Sequence, residues 1–407
     1  MTDDINNVSA KCKLNNLTSC INVLYISTYI PRKCGLATFT KDLTNAINLI
    51  NPLALAKIAA IDTVNGEKLK YPHEVKYKIR QNEWEDYQKI AEVINKDNNL
   101  EIVCLQHEFG IYGGESGNYI INFLDLINKP IVTTLHTVIQ KPDENQKKII
   151  QKIFDRSKYV VVMAEAAVGV LGKVYNVDTD KIAMIHHGVP DFPKLDTFHY
   201  KKLLRLKRKI VMVSANLLSE WKGIEYALAA VPKICKKIPN FIYLIVGQTH
   251  PSYLKELIKQ YGRDVYREKL LDMVKKLKIQ RHVRFINKYV SLTKLIHYIG
   301  AADFYITPYS IDSQQTTSGA LAYAIGAGKL CISTPYVYAK EMLGKSKGIL
   351  VPFKDSSAIS SEVVEIYNKP KEKAKREALT YEIGRTMTWI NVAHLYFHLF
   401  KMTLKQT

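Results

Sequence analysis

Residues able to do chemistry collect in this chain at the carboxyl ends of apolar runs. The densest group lies in ADFYITPYSIDSQQTTSGALAYAIGAGKLCISTPYVYAK, residues 302–340. Hydroxyls and amides fill the loop from Ser310 to Ser318, and a small-residue helix starts at Gly319. Free N–H groups at a helix N-terminus, with the helix dipole behind them, suit an anionic ligand. A tight turn between strand and helix accounts for the same residues without one. His107 and His136 each close an apolar run, and His186-His187-Gly188 follows another. One such histidine is more often structural. Two at strand ends in one sheet make a functional pair as good a reading.

The elements that must position these residues alternate. Phe304-Tyr305-Ile306 reads as a strand ended by Pro308, which cannot continue a helix. With the helix after Gly319 and a strand at 330–335 it forms a βαβ unit. Ligands in open α/β sheets bind beyond the carboxyl ends of the strands. After a loose leader, residues 1–20, strands are expected at 21–27, 55–61, 101–107, 130–136, 159–163 and 182–186. A further set is expected at 209–214, 241–247, 282–287 and 348–353. Between them helices are expected at 84–95, 224–237, 250–278 and 291–300, with 356–368 and 371–405 closing the chain. The first strand feeds Gly35 and a helix, a phosphate-friendly turn that lacks GxGxxG. Strand–helix alternation throughout implies an α/β fold of two parallel, helix-covered sheets, joined by a linker from Val189 to Arg208.

Composition narrows the partners. The chain has 407 residues, a formal charge of +20 and 47% hydrophobic residues, enough for two cores. The charge favours anionic partners: phosphorylated substrates, the inner face of a membrane met peripherally, or nucleic acid. No RNP, KH or zinc pattern supports nucleic acid as the main partner. The six cysteines form no CxxC pair, as expected of a reducing, cytoplasmic setting. The N-terminus lacks a signal-peptide core, and no apolar run reaches spanning length.

Five stretches, in order, carry a resemblance to a known family: VLYISTYIPRKCGLATF at 23–39, TLH at 134–136, HHGVPD at 186–191, NLLSEWKGIEYAL at 216–228, and 302–353 ending in GILVPF. The chain resembles the GT-B retaining glycosyltransferases of family 4 from about residue 21 to its end. The resemblance implies two Rossmann-like, doubly wound domains facing across a cleft. An acceptor-side domain would span 21–195 and a nucleotide-sugar domain 196–375, with a C-terminal helix, 376–407, crossing back to the first. The implied reaction moves a sugar from a nucleoside diphosphate sugar, a co-substrate, to a hydroxyl acceptor, without cofactor or metal.

By the same resemblance Lys222 would meet the donor diphosphate, and a lysine at a strand–helix junction can neutralise charge on a leaving phosphate. His136 would lie near the transferred sugar, and Gln315 would complete the catalytic set. Gly35, Asn216, Thr316, Thr317, Ser318, Gly319 and Tyr323 would join Lys222 and Gln315 around the donor. The loop with His107, Glu108, Tyr112, Gly113, Gly114 and Glu115 would face the acceptor. The chain departs from the family at three positions. Gln315 and Tyr323 replace two glutamates, and Leu217 replaces an arginine. Two other readings stay open: a phosphate-dependent glycoside phosphorylase, and a non-catalytic nucleotide-sugar-binding protein.

Overall fold

In a computed structural model the described residues are 20–62, 69–310, 316–344 and 346–405. They build two parallel sheets. The first contains β1 (Val23–Ser27), β2 (Lys57–Asp62), β3 (Val75–Arg80), β4 (Ile102–His107), β5 (Ile131–Leu135), β6 (Tyr159–Val162) and β7 (Ile182–Met184), in the order β3-β2-β1-β4-β5-β6-β7. The second contains β8 (Ile210–Ala215), β9 (Phe241–Val246), β10 (Val283–Ile286), β11 (Phe304–Thr307), β12 (Cys331–Ser333) and β13 (Ile349–Leu350), in the order β10-β9-β8-β11-β12-β13. Both are doubly wound. The strand order reverses between β1 and β4 in one sheet and between β8 and β11 in the other. The crevice at such a reversal is where an open α/β sheet takes its ligand. Here those crevices are bordered by the ends of β1 and β4, and by Asn216 and Pro308.

Central strands are apolar because helices cover both faces. All five residues of β1 and all six of β9 are buried. β3 is an addition to the strands expected from sequence. Its lysines, Lys76 and Lys78, alternate outward along VKYKIR at the sheet edge, where charge discourages pairing with another chain.

Two long helices expected from sequence are each broken. The segment 250–278 forms the helices Pro251–Tyr261 and Val265–Lys276, because Gly262 adopts φ +72° and Asp264 caps the second. The segment 371–405 forms Pro370–Thr386 and Trp389–Lys405. Between them Val189 pairs with the chain, its N–H on Met387 O at 2.8 Å and its carbonyl accepting from Trp389 N at 2.9 Å. The last helix does cross back. Trp389, Val392, Tyr396 and Phe400 are buried in one cluster with Tyr25, Phe39, Leu43 and Ile47. Each such side chain contributes about 1.5–3 kcal/mol. Among the described residues no helix is long and apolar enough to cross a membrane.

The domains also touch across the cleft. Thr38 Oγ1 lies 3.1 Å from Tyr289 Oη, and Tyr323 Oη donates to Asp42 Oδ2 at 2.9 Å. The Glu341 carboxylate accepts from the N–H groups of Glu165 and Ala166, at the start of the helix Glu165–Val170.

Candidate functional site

The loop leaving β8 runs from Asn216 to a short turn, Glu220–Lys222, and Gly223. Gly223 has φ +64°, and a Cβ there would collide with Pro308 O. Only glycine lets this loop press against the loop leaving β11. Ser310 N donates to Trp221 O at 2.9 Å and stitches the two together. Lys222 is held beneath the seam. Its Nζ is 3.4 Å from the centroid of Trp221 and 4.0 Å from that of Tyr309. Tyr309 in turn stacks on Tyr336 at 4.6 Å. Lys222 is 7% exposed, and burial alone holds its pKa well below the ordinary lysine value. Two aromatic faces partly offset that burial, and no carboxylate among the described residues pairs with Lys222.

Further polar groups nearby have no partner. The Asn216 amide and Ser219 Oγ are sealed from solvent without a hydrogen bond. Arg267 donates from Nη2 to Gly247 O at 2.9 Å, while its Nε and Nη1 are buried and unpartnered. Gly247, at φ +136°, packs directly on Asn216 O. His250 is shifted down by burial and then by the charge of Lys222. The nearest acid, Asp264, is already bound to Thr249 Oγ1 and to the N–H of Arg267. A sealed, unsatisfied polar group costs about 1–3 kcal/mol. So many in one place, with several cations and no free acid among the described residues, fit an oxygen-rich anion. Ser219, His250 and Arg267 were not expected from sequence.

The helix Gly319–Gly326 starts beside this cluster. Ser318 caps it, with Oγ 3.4 Å from Leu321 N and from Tyr309 Oη. Thr317 Oγ1 donates to Met163 Sδ of the first domain at 3.2 Å. Two of the expected phosphate hydroxyls are therefore engaged within the protein. Thr316 is buried at the same turn. Gly319 leaves room for His187, whose Nε2 would lie 3.0 Å from a Cβ there. Tyr323 is committed to Asp42 rather than to an open surface. Gln315 lies outside the described residues.

Opposite stands His136, at the end of β5. Its Nε2 lies 2.8 Å from Gln106 Oε1, and its ring meets the edge of Phe39 at 4.6 Å. Phe39 also touches His187 at 5.2 Å, and His187 touches Tyr323. These contacts bring His136, His187 and the donor-side helix to one floor. Burial keeps the histidines neutral. His136 is pushed well below its ordinary pKa, His187 down to about 4 and His107 down to about 3. Gly35 opens the helix Gly35–Ile50 with nothing within 4 Å of its Cβ position.

The expected acceptor loop divides. Glu115 and Gly114 are exposed. Glu108 is tied to Thr137 Oγ1 at 2.6 Å. Tyr112 is a correction: it is 1% exposed and its hydroxyl donates to Gln106 O at 2.7 Å, so it props the strand end instead of facing a ligand. His107 is fully buried against Tyr112 and Phe109. Gly113 is a packing glycine, since a Cβ there would collide with Gln81 O. Among the described residues no group of three or more His, Cys, Asp or Glu side chains is placed to hold a metal ion.

Residues 196–382 match the family model described as glycosyl transferases group 1. The fold is similar to that of sucrose-phosphate synthase from Thermosynechococcus elongatus, with TM-score 0.74, 15% identity, and 95% of this chain and 100% of that one covered. It is similar also to Anabaena HepE in complex with UDP and glucose, with TM-score 0.73, 12% identity and coverage of 94% and 100%. A glycosyltransferase from Rickettsia africae gives TM-score 0.72, 18% identity and coverage of 95% and 100%. No curated protein gives a significant sequence match. Residues 196–382 thus fall within the glycosyl transferases group 1 model, and the chain as a whole has the GT-B fold of these structures.

Proposed function

We propose that the protein transfers a sugar from a nucleoside diphosphate sugar to a hydroxyl acceptor, with retention at the anomeric carbon. The observation that carries this reading is Lys222, a buried amine held by Trp221 and Tyr309 with no carboxylate partner among the described residues, beside the unpartnered donors of Asn216, Ser219 and Arg267. A diphosphate supplies the oxygens these groups lack. Anabaena HepE, of the same fold, has been solved with UDP and with UDP-glucose, which supports a nucleotide-sugar donor here.

In the reaction the acceptor oxygen bonds to the anomeric carbon on the face the phosphate leaves. The carbon–oxygen bond to the diphosphate breaks, and its electron pair goes to the phosphate oxygen. The acceptor proton passes to that leaving oxygen. Lys222 stabilises the charge that develops there, which is where preorganised electrostatics contribute most. His136 lines the sugar side, and the exposed edge of the loop at Gly114 and Glu115 receives the acceptor. No protein nucleophile is required.

A thermal-shift screen tests the reading, using UDP-, GDP- and ADP-sugars, free nucleotides, and inorganic phosphate with disaccharides. A ligand that binds only the folded state raises Tm by mass action. One nucleotide class should raise Tm, and the rise should vanish in Lys222→Ala. A response to phosphate and sugar with none to any nucleotide would replace this reading with a phosphorylase.

A further inference from the structure

We infer that Gln106 is the positioning residue of this site: its Oε1 accepts a hydrogen bond from the Nε2–H of His136, so the imidazole presents a bare Nδ1 as acceptor for a ligand hydroxyl. The inference deepens the proposed function and rests on it for the identity of the ligand, a sugar. Gln106 sits at the end of β4, between β1 and β5, and is fully buried. Its amide is used completely. Oε1 faces His136 Nε2 at 2.8 Å, and Nε2 is 3.4 Å from both Cys104 Sγ and Thr134 Oγ1. Thr134 Oγ1 is in turn 2.8 Å from Tyr396 Oη on the helix that crosses back from the other domain. The C-terminal helix is thereby joined to the site histidine through four side chains.

The consequence for His136 is chemical. A carbonyl oxygen can only accept, so the nitrogen facing it carries the proton. A neutral imidazole has one donor and one acceptor nitrogen, and the hydrogen bond at one fixes the role of the other. His136 is kept neutral by burial and by its neighbours His187 and His107. Nδ1 has no hydrogen-bond partner among the described residues and is not among the sealed polar atoms. The edge contact of Phe39, with planes 89° apart, holds the ring in that orientation. A bare nitrogen accepts a hydrogen bond from a hydroxyl and repels a carboxylate or phosphate oxygen. The side of the site at His136 thus selects a neutral sugar hydroxyl, while Lys222 serves the anionic part of the donor.

Nitrogen-15 spectra of the histidine side chains test this directly in the unliganded protein, with His136 assigned by its loss in His136→Asn. At pH 7 the wild type should show His136 protonated at Nε2 and bare at Nδ1. Gln106→Glu should place a proton on Nδ1. That follows either from an imidazolium facing a carboxylate or from a neutral acid donating to Nε2, and a purely structural role for Gln106 would not move the signal. A wild-type spectrum with the proton on Nδ1, or an unchanged spectrum in Gln106→Glu, overturns the inference. The wild-type spectrum decides even where the variant fails to fold. None of these measurements uses a donor or an acceptor. Absence of transfer activity would remove the functional reading and leave the tautomer standing.

Discussion

Tyr323 Oη donates to Asp42 Oδ2 across the cleft at 2.9 Å, joining the helix that opens the donor side to the helix that follows β1. Burial pushes the Asp42 pKa up, and the hydrogen bond from Tyr323 pulls against it. A carboxyl whose folded pKa is raised favours folding below its unfolded pKa, and loses that contribution as pH rises through the folded value. Ionised Asp42 is therefore a cost at pH 7. Asp42→Asn keeps an acceptor for Tyr323 and removes the charge. It should raise Tm at pH 7 and leave Tm near pH 4 little changed. Tyr323→Phe should lower stability at pH 7 by about 1.5–3 kcal/mol, the worth of a hydrogen bond to a charged group. Thermal melts from pH 4 to 8 check both, and a lower Tm at pH 7 in Asp42→Asn would refute the account.

Lys222 should trade stability for function. Lys222→Met preserves chain length against Trp221 and Tyr309 and removes a buried amine whose charged form burial disfavours. The empty variant should melt higher than wild type at pH 7 and show no nucleotide-dependent shift. Turnover should fall about a hundredfold or more, as when one preorganised donor to a developing anion is lost.

Donor binding should take up a proton at Lys222. Burial depresses its pKa in the empty site, and a bound diphosphate raises it again. Between those two values binding requires protonation, so affinity falls as pH rises. Calorimetry in buffers of different ionisation enthalpy reads the uptake. Binding enthalpies independent of buffer across pH 6–9 would show that Lys222 is charged before the ligand arrives.

Much of this site is legible in the sequence because it follows from local chemistry. Apolar runs that end in Gln106-His107, His136 and Asn216 mark strand ends, and Lys222-Gly223 before a helix marks a strand–helix junction. What was not legible depends on distant pairing. The break at Met387 is made by Val189, nearly two hundred residues earlier in the chain. β3 was not among the expected strands: its lysines alternate along a sheet edge, and no apolar run marks it. Tyr112 looked like a loop residue until Gln106 O claimed its hydroxyl. Arg267 belongs to VYREKLLDMVKK, which reads as a solvated helix, and only Gly247 and the ring of Phe285 show that it is buried.

Arg267 should matter for the donor. Its Nε and Nη1 have no protein partner, and a ligand oxygen would supply one. Charge-assisted hydrogen bonds to such a group are worth about 1.5–3 kcal/mol. Arg267→Lys keeps the charge and loses the planar fork, and should weaken nucleoside diphosphate binding about tenfold or more. Arg267→Met separates the fold from the ligand, since burial of a guanidinium with two unpartnered nitrogens is costly in the empty protein. It should melt no lower than wild type and bind no nucleotide. Undiminished affinity in both variants would remove Arg267 from the site.

Two glycines make opposite predictions from the same substitution. Gly169 lies in the helix Glu165–Val170 with nothing within 4 Å of its Cβ position. Alanine there gains helix propensity without a contact, so Gly169→Ala should stabilise by up to about 1 kcal/mol. Gly384 lies where the helix Pro370–Thr386 crosses the helix Gly319–Gly326, and its Cβ would stand 2.7 Å from Gly326 Cα and 2.9 Å from Ile325 O. Those atoms are backbone and cannot swing aside as a side chain would. Overpacking costs about 1–3 kcal/mol, which outweighs the same propensity gain. Gly384→Ala should therefore lower Tm. It should also weaken nucleotide binding, because the helix it displaces follows directly on Thr317 and its cap Ser318, which touches Tyr309. A fall in Tm with full affinity would show that the crossing supports the fold without setting the site.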